Sequence, residues 1–132
     1  MKNFALKTFA LVLFVSTLFA CSSDDESETI ITKNELVTAV TGPDTAAINE
    51  DVTFQVSFDV ENSCGNFHQY LETLSGNTKT IQVQTKYRGT NCGATASTKT
   101  EPYTFRLNTA GTYVFKFKSS ATAFITKTVV IE

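Results

Sequence analysis

One histidine, His68, stands in the whole chain of 132 residues, so no site that needs two imidazole ligands can form. No block of Lys and Arg occurs that could neutralise a run of phosphates, which removes the electrostatic footprint of nucleic-acid binding. No glycine-rich loop opens a helix, so there is no phosphate cradle of that kind. Helical periodicity is missing throughout. Nor is there an apolar run of the roughly 20 residues that a membrane-spanning helix needs. The longest, Phe9 to Phe14 continued by Val15, Leu18 and Phe19, is shorter and runs straight into Cys21 and the polar stretch SSDDESE.

What is present at the start is a basic head, Lys2 and Lys7, then that apolar core, then a small residue before a cysteine. This is the grammar of a cleaved signal peptide over residues 1–20. The junction Leu18-Phe19-Ala20-Cys21 resembles the bacterial lipobox, with Phe19 bulkier than usual at its position. The resemblance implies that Cys21 carries a diacylglycerol, that cleavage falls just before it, and that the new amino group takes a further acyl chain such as palmitate. Two or three chains make such an anchor effectively permanent, where one is marginal. The run Ser22-Ser23-Asp24-Asp25-Glu26 resembles the acidic tag that routes some Gram-negative lipoproteins to the outer leaflet of the outer membrane. The plainer alternative is a solvated acidic linker on the periplasmic face. Ser22, where retention in the inner membrane favours Asp, points outward.

Without Lys2 and Lys7, nine of the eleven basic residues remain against thirteen acidic ones, a formal charge of −4. With Cys21 used for lipid, Cys64 and Cys92 form an even pair in an oxidising compartment, where a disulfide is the default. Residues 21–35 read as the lipidated cysteine and a flexible acidic tether, and 36–132 as one folded domain.

Within that domain the dominant period is two. Val52, Phe54, Val56, Phe58 and Val60 alternate with Thr53, Gln55, Ser57 and Asp59. Tyr103, Phe105 and Leu107 alternate with Thr104 and Arg106, and Tyr113, Phe115 and Phe117 with Thr112, Lys116 and Lys118, although Val114 falls on the polar side. Further strands are expected over 67–74, 81–87 and 124–131, with turns at Gly42-Pro43-Asp44, Ser75-Gly76-Asn77 and Ala110-Gly111. The fold class is all-β, an antiparallel β-sandwich of about seven strands.

Two segments resemble immunoglobulin-like and PKD-like modules. Residues 43–54 resemble their kinked edge leading into the second strand, and Leu107-Asn108-Thr109-Ala110-Gly111-Thr112-Tyr113 their tyrosine corner. The resemblance covers residues 37–131 and implies an immunoglobulin-like sandwich in which the Tyr113 hydroxyl returns to the corner backbone. Phe115 stands where the inter-sheet cysteine would be, there is no tryptophan, and the aspartate-rich PKD loop is missing. The likeness is therefore to the sandwich and not to one functional subfamily. The stretch from Asn62-Ser63-Cys64-Gly65 to Asn91-Cys92-Gly93 is similar to a pattern in small bacterial surface lipoproteins. If 67–74 and 81–87 form a hairpin pairing Phe67 with Tyr87 and Leu71 with Val83, Cys64 and Cys92 lie together beyond its open end.

Few constellations for catalysis exist. A Cys64–His68 nucleophile requires a free thiol, which a disulfide removes. Asp59, Glu61 and Glu72 qualify as paired glycosidase acids only by being acidic. Asp44, Glu50 and Asp51 are oxygen donors that could hold Ca²⁺ in a loop, or simply solvated turn residues. No cofactor, metal site or catalytic residue is expected. A binding face is expected on the outward side of the hairpin, where His68, Tyr70 and Glu72 stand beside Gln82, Gln84 and Arg88; a tyrosine among amides and charges suits a sugar ring or a protein interface. The expected function is a lipid-anchored, non-enzymatic binding or assembly module engaging protein or glycan. The alternative is a small inhibitor or chaperone-like lipoprotein acting on a partner enzyme.

If Cys21 is the anchor, Cys21→Ser abolishes palmitate labelling and moves the protein out of the membrane fraction. Protease added to intact cells should shave the wild-type domain. Retained label in the variant would sink the anchor, and full resistance of the wild type would place the domain on the periplasmic face.

Overall fold

The computed structural model describes residues 28–132, so the signal peptide, Cys21 and the acidic tag lie outside the described residues. Among the described residues there are nine strands and no helix: β1 Ile30–Glu35, β2 Val37–Thr41, β3 Thr45–Ala46, β4 Asp51–Val60, β5 Gly65–Ser75, β6 Thr78–Arg88, β7 Ser97–Arg106, β8 Gly111–Lys118 and β9 Phe124–Ile131. They form a β-sandwich. One sheet has three strands in the order β2-β4-β7; the other has six, running β1-β6-β8-β9-β3 with β5 also paired to β6.

The strand alternation read from the sequence sets the core. Val52, Phe54, Val56, Phe58 and Val60 of β4 are all 2% exposed or less, and they meet Ile81, Val83, Phe115, Phe117, Val129 and Ile131 of the opposite sheet. Phe54 sits at the centre, its ring 5.3 Å from Phe105, 5.4 Å from Phe115 and 5.9 Å from Phe117. Tilted and edge-on contacts of this kind add to the burial term, which is about 1.5–3 kcal/mol for each large apolar side chain. The tyrosine corner is present: the Tyr113 hydroxyl donates to the Thr109 carbonyl at 3.0 Å.

Four features depart from expectation. Nine strands replace about seven. Two pairings are parallel, β6 with β8 and β3 with β9. The segment read as a tether up to residue 35 contains β1, because β8 covers β6 only from Thr78 to Ile81 and leaves the rest of that edge open. β1 fills it antiparallel, Glu35 facing Val83 through to Ile30 facing Arg88, and so satisfies backbone groups that would otherwise be orphaned.

The fourth is the hairpin register. Gly65, not Phe67, faces Tyr87, and Phe67 faces Thr85. A bulge between Phe67 and Gln69 then shifts the pairing, so that Tyr70 faces Val83 and Leu71 faces Gln82. The extra residue is His68. It reverses the parity of everything after it: Tyr70 turns inward with Phe67, and Leu71 turns outward.

Gly65 is required by this register. A Cβ there would lie 2.8 Å from the Tyr87 ring and 2.9 Å from the Val60 Cβ. Both neighbours are buried and neither can retreat. Gly65→Ala should therefore cost about 1–3 kcal/mol by overpacking, seen as a Tm drop of about 4–8 °C per kcal/mol in thermal melts. An unchanged Tm would mean that the Tyr87 ring does not cover Gly65.

Candidate binding face

The outward side of the six-stranded sheet is built by β6 and its neighbours. Because Ile81, Val83, Thr85 and Tyr87 point into the core, Thr80, Gln82, Gln84 and Lys86 point out. The Gln69 amide donates to Gln84 Oε1 at 2.7 Å, and the Gln84 amide donates to Asn34 Oδ1 at 3.2 Å. This amide ladder crosses three strands, β5, β6 and β1. Beside it, Leu71, Glu72, Thr73, Gln82, Lys118 and Phe124 are among the residues that line a shallow depression of about 200 Å³. Leu71 and Phe124 are 36% and 42% exposed there.

Of the residues expected on this face, Gln82, Gln84 and Arg88 belong to it. Arg88 lies 3.7 Å from the Glu28 carboxylate. His68 is exposed at the bulge. Tyr70 is corrected: it is half-buried, its hydroxyl donates to the Glu101 carbonyl at 2.9 Å, and its ring meets Tyr103 edge-on at 5.0 Å. Burial, with the Glu101 charge adding, pushes its phenol above the ordinary range. Glu72 shares the parity of Tyr70 and pairs with Lys79 at 2.9 Å. Gln69, Leu71, Asn34 and Phe124 were missed. Asn34 sits in the supposed tether, and the bulge that turns Leu71 outward leaves no trace in the spacing.

A second cleft, about 380 Å³, opens at one end of the sandwich, with Leu36, Val37, Val60 and Ala96 below Glu35, Asp59 and Glu61. Its polar groups are engaged in holding β1. Glu35 Oε1 accepts from Thr85 Oγ1 at 2.9 Å and from the Tyr87 hydroxyl at 2.7 Å, and that hydroxyl accepts from the Glu61 amide at 2.9 Å. Burial first, opposed by the Glu61 amide and helped by the Glu35 carboxylate, pushes the Tyr87 phenol up to about 12. Lys33 pairs with Glu61 and lies over the Tyr87 ring, 5.0 Å from its centroid. Asp59 accepts from the Thr98 hydroxyl at 2.6 Å. Glu72 is on a different strand and has a different partner, so the three acids weighed for glycoside chemistry do not converge.

The loop carboxylates are also separately engaged. Asp44 pairs with Lys127 at 2.5 Å, Glu50 accepts from the Ala47 amide at 2.8 Å, and Asp51 takes a two-pronged bond from Arg106 at 2.8 and 2.7 Å. The Arg106 guanidinium holds the Asp51 carboxyl below its usual range. Among the described residues no three His, Cys, Asp or Glu side chains gather as a metal-binding group.

Cys64 and Cys92 are bonded, Cα–Cα 5.4 Å, which leaves no thiol for a pairing with His68. The bond joins the start of β5 to the loop after β6. Beside it the Gly93 amide donates to Ser63 Oγ at 2.8 Å, and the Ser63 amide to the Gly93 carbonyl at 3.1 Å.

Residues 54–129 match the family model of the ORF11 beta-sandwich domain. No curated protein and no solved structure matches the chain. The disulfide lies inside the matched segment and closes a loop of 28 residues. Such a loop stabilises by about 3–4 kcal/mol in the chain-entropy model. Reduction and alkylation should thus lower the Tm by about 10 °C or more; two titratable thiols in the untreated, denatured protein would overturn the pairing.

Proposed function

The chain belongs to the ORF11 beta-sandwich domain family, and from that premise we propose that it is a lipid-anchored, extracytoplasmic, non-enzymatic binding module. Cys21 holds it to the outer membrane, and the acidic run displays it at the cell surface. The sequence features that support this location are the lipobox-like junction and the tag; a bonded cysteine pair fits an oxidising compartment.

The observation that carries the binding role is the amide ladder Gln69–Gln84–Asn34 beside the Leu71–Phe124 depression. Amides offer a donor and an acceptor each, so they meet hydroxyl-rich or peptide surfaces without charge, while the apolar pair supplies contact area. The inhibitor-like reading has one observation of its own. The β5–β6 hairpin ends in a turn at Gly76, and beside it Leu74 is 71% exposed, an apolar tip suited to entering a cleft.

A glycan array and co-purification with the full chain test both. Gln84→Glu, which puts a carboxylate in the middle of the ladder, should abolish capture of the ligand, and Leu74→Ser should leave it intact. The opposite pattern would favour the hairpin tip, and capture unaffected by Gln84→Glu would remove the face as the site.

A further inference from the structure

The nine cations of the described residues divide sharply by position. Lys33, Lys79, Arg106 and Lys127 are each paired with a carboxylate at 2.9 Å or less, and Lys99 donates to Asn66 at 2.9 Å. Arg88 has only the longer contact to Glu28, 3.7 Å. Lys86, Lys116 and Lys118 have no ion pair among the described residues. These three and Arg88 all lie on one surface, the outward side of the six-stranded sheet. The register shows why: Lys86 faces Thr32, Lys116 lies between Thr80 and Thr126, and Lys118 faces Phe124. No outward position of β1, β5, β6, β8 or β9 in these ladders is Asp or Glu, since Glu35 and Glu72 share the inward parity of Val83 and Ile81. A chain of formal charge −2 therefore presents one face on which cations outnumber carboxylates: Glu28 stands 3.7 Å from Arg88, and Glu72, paired with Lys79, reaches the depression.

We propose that this face binds an acidic polysaccharide, one whose sugars carry carboxylate or sulfate groups. The inference rests on the binding-module reading and names its ligand class. Three properties of the face select that class. The cations run from the level of Thr80 to Arg88 along β6, about 26 Å at 3.3 Å per residue, which suits an extended chain and not a single small anion. Between the two ends of that run lie Gln82 and Gln84, whose amides can both donate to and accept from sugar hydroxyls. At one end Phe124 presents its ring with the Lys116 ammonium 6.0 Å from the ring centroid. An apolar surface and a cation side by side match a sugar ring bearing an acid group: C–H edges on the ring, charge on the lysine.

The full chain held in phosphatidylcholine nanodiscs can be titrated with fluorescent polygalacturonate, dextran sulfate and neutral dextran. Both or either of the acidic polymers should bind, with affinity falling as salt rises, and dextran should not. Lys116→Glu with Lys118→Glu should weaken binding by about tenfold or more and flatten the salt dependence. Phe124→Ala keeps every charge, so weaker binding in that variant separates sugar contact from plain ion exchange. Equal binding of dextran, an unaffected lysine double variant or an unaffected Phe124→Ala would each overturn the proposal. Retention on nanodiscs made with phosphatidylglycerol by this face, without any polysaccharide binding, would assign it to a bilayer instead. If no acidic polymer binds but Gln84→Glu still abolishes capture of another ligand, only the acidic class falls. If every face variant retains all interactions, the binding-module reading falls with it.

Discussion

The eleven backbone units of β6 have hydrogen-bonding groups on both edges, and no single strand fills the second edge. β5 covers the first along its whole length. On the second, β8 pairs in parallel with Thr78–Ile81, and β1 pairs antiparallel with Val83–Arg88. Buried backbone groups left without partners are costly, so this divided edge obliges the N-terminal segment to become a strand. Much else depends on that requirement. With β1 in place, Asn34 reaches Gln84 on the outside and Glu35 reaches Thr85 and Tyr87 on the inside. The same strand completes the amide ladder and caps one end of the core.

The second constraint is the parity change at His68. Before the bulge, Phe67 faces inward and meets Phe58 at 6.2 Å; after it, Tyr70 does so and meets Phe67 at 4.7 Å. Two aromatic side chains three residues apart cannot share one face of a regular strand, because the side-chain period is two. The inserted residue resolves this, and the gain is the Tyr70 hydroxyl bond to β7 together with the Tyr70–Tyr103 contact that closes the gap between the sheets. The Tyr103 hydroxyl itself is buried without a hydrogen-bond partner among the described residues, and burial, with the Glu72 carboxylate adding, holds its proton in place. As a by-product Leu71 turns to solvent and becomes part of the outer depression.

This explains what could and could not be read from the residues. Strand β4 was legible because its five inward side chains are all Val or Phe and its outward ones all polar. Tyr113 was legible because a corner needs a tyrosine, a turn and a glycine within a few positions. The hairpin was legible as a hairpin, but not in register, because Phe67, Tyr70, Leu71 and Leu74 occupy both parities and no alternation can choose between them. β1 read as tether for a related reason: its inward residues include Lys33 and Glu35, whose partners are a distant carboxylate and two hydroxyls, and distant polar partners leave no local pattern. Gln82, Gln84 and Arg88 have outward parity since β6 alternates without interruption; Tyr70 and Glu72 have inward parity since they follow the bulge, although Glu72 stays exposed at the depression.

An acidic chain can carry a locally basic face because charge in water is a short-range matter. Packed sheets lie about 10 Å apart, and at physiological salt the screening length is about 8 Å. Asp51 and Asp59, on the far side of the three-stranded sheet, are thus separated from Lys116 and Lys118 by more than one screening length. Each is moreover occupied locally, Asp51 by Arg106 and Asp59 by Thr98. Of the carboxylates near the six-stranded sheet, Glu35 and Glu72 have inward strand parity and hold Tyr87 and Lys79, while Glu28 lies 3.7 Å from Arg88. The sorting of sign by face therefore follows from the same two features that shape the fold, the divided edge of β6 and the bulge at His68. Without the bulge, Glu72 would take the outward parity beside Gln82, Leu71 would turn inward, and the depression would lose the Leu71 side chain.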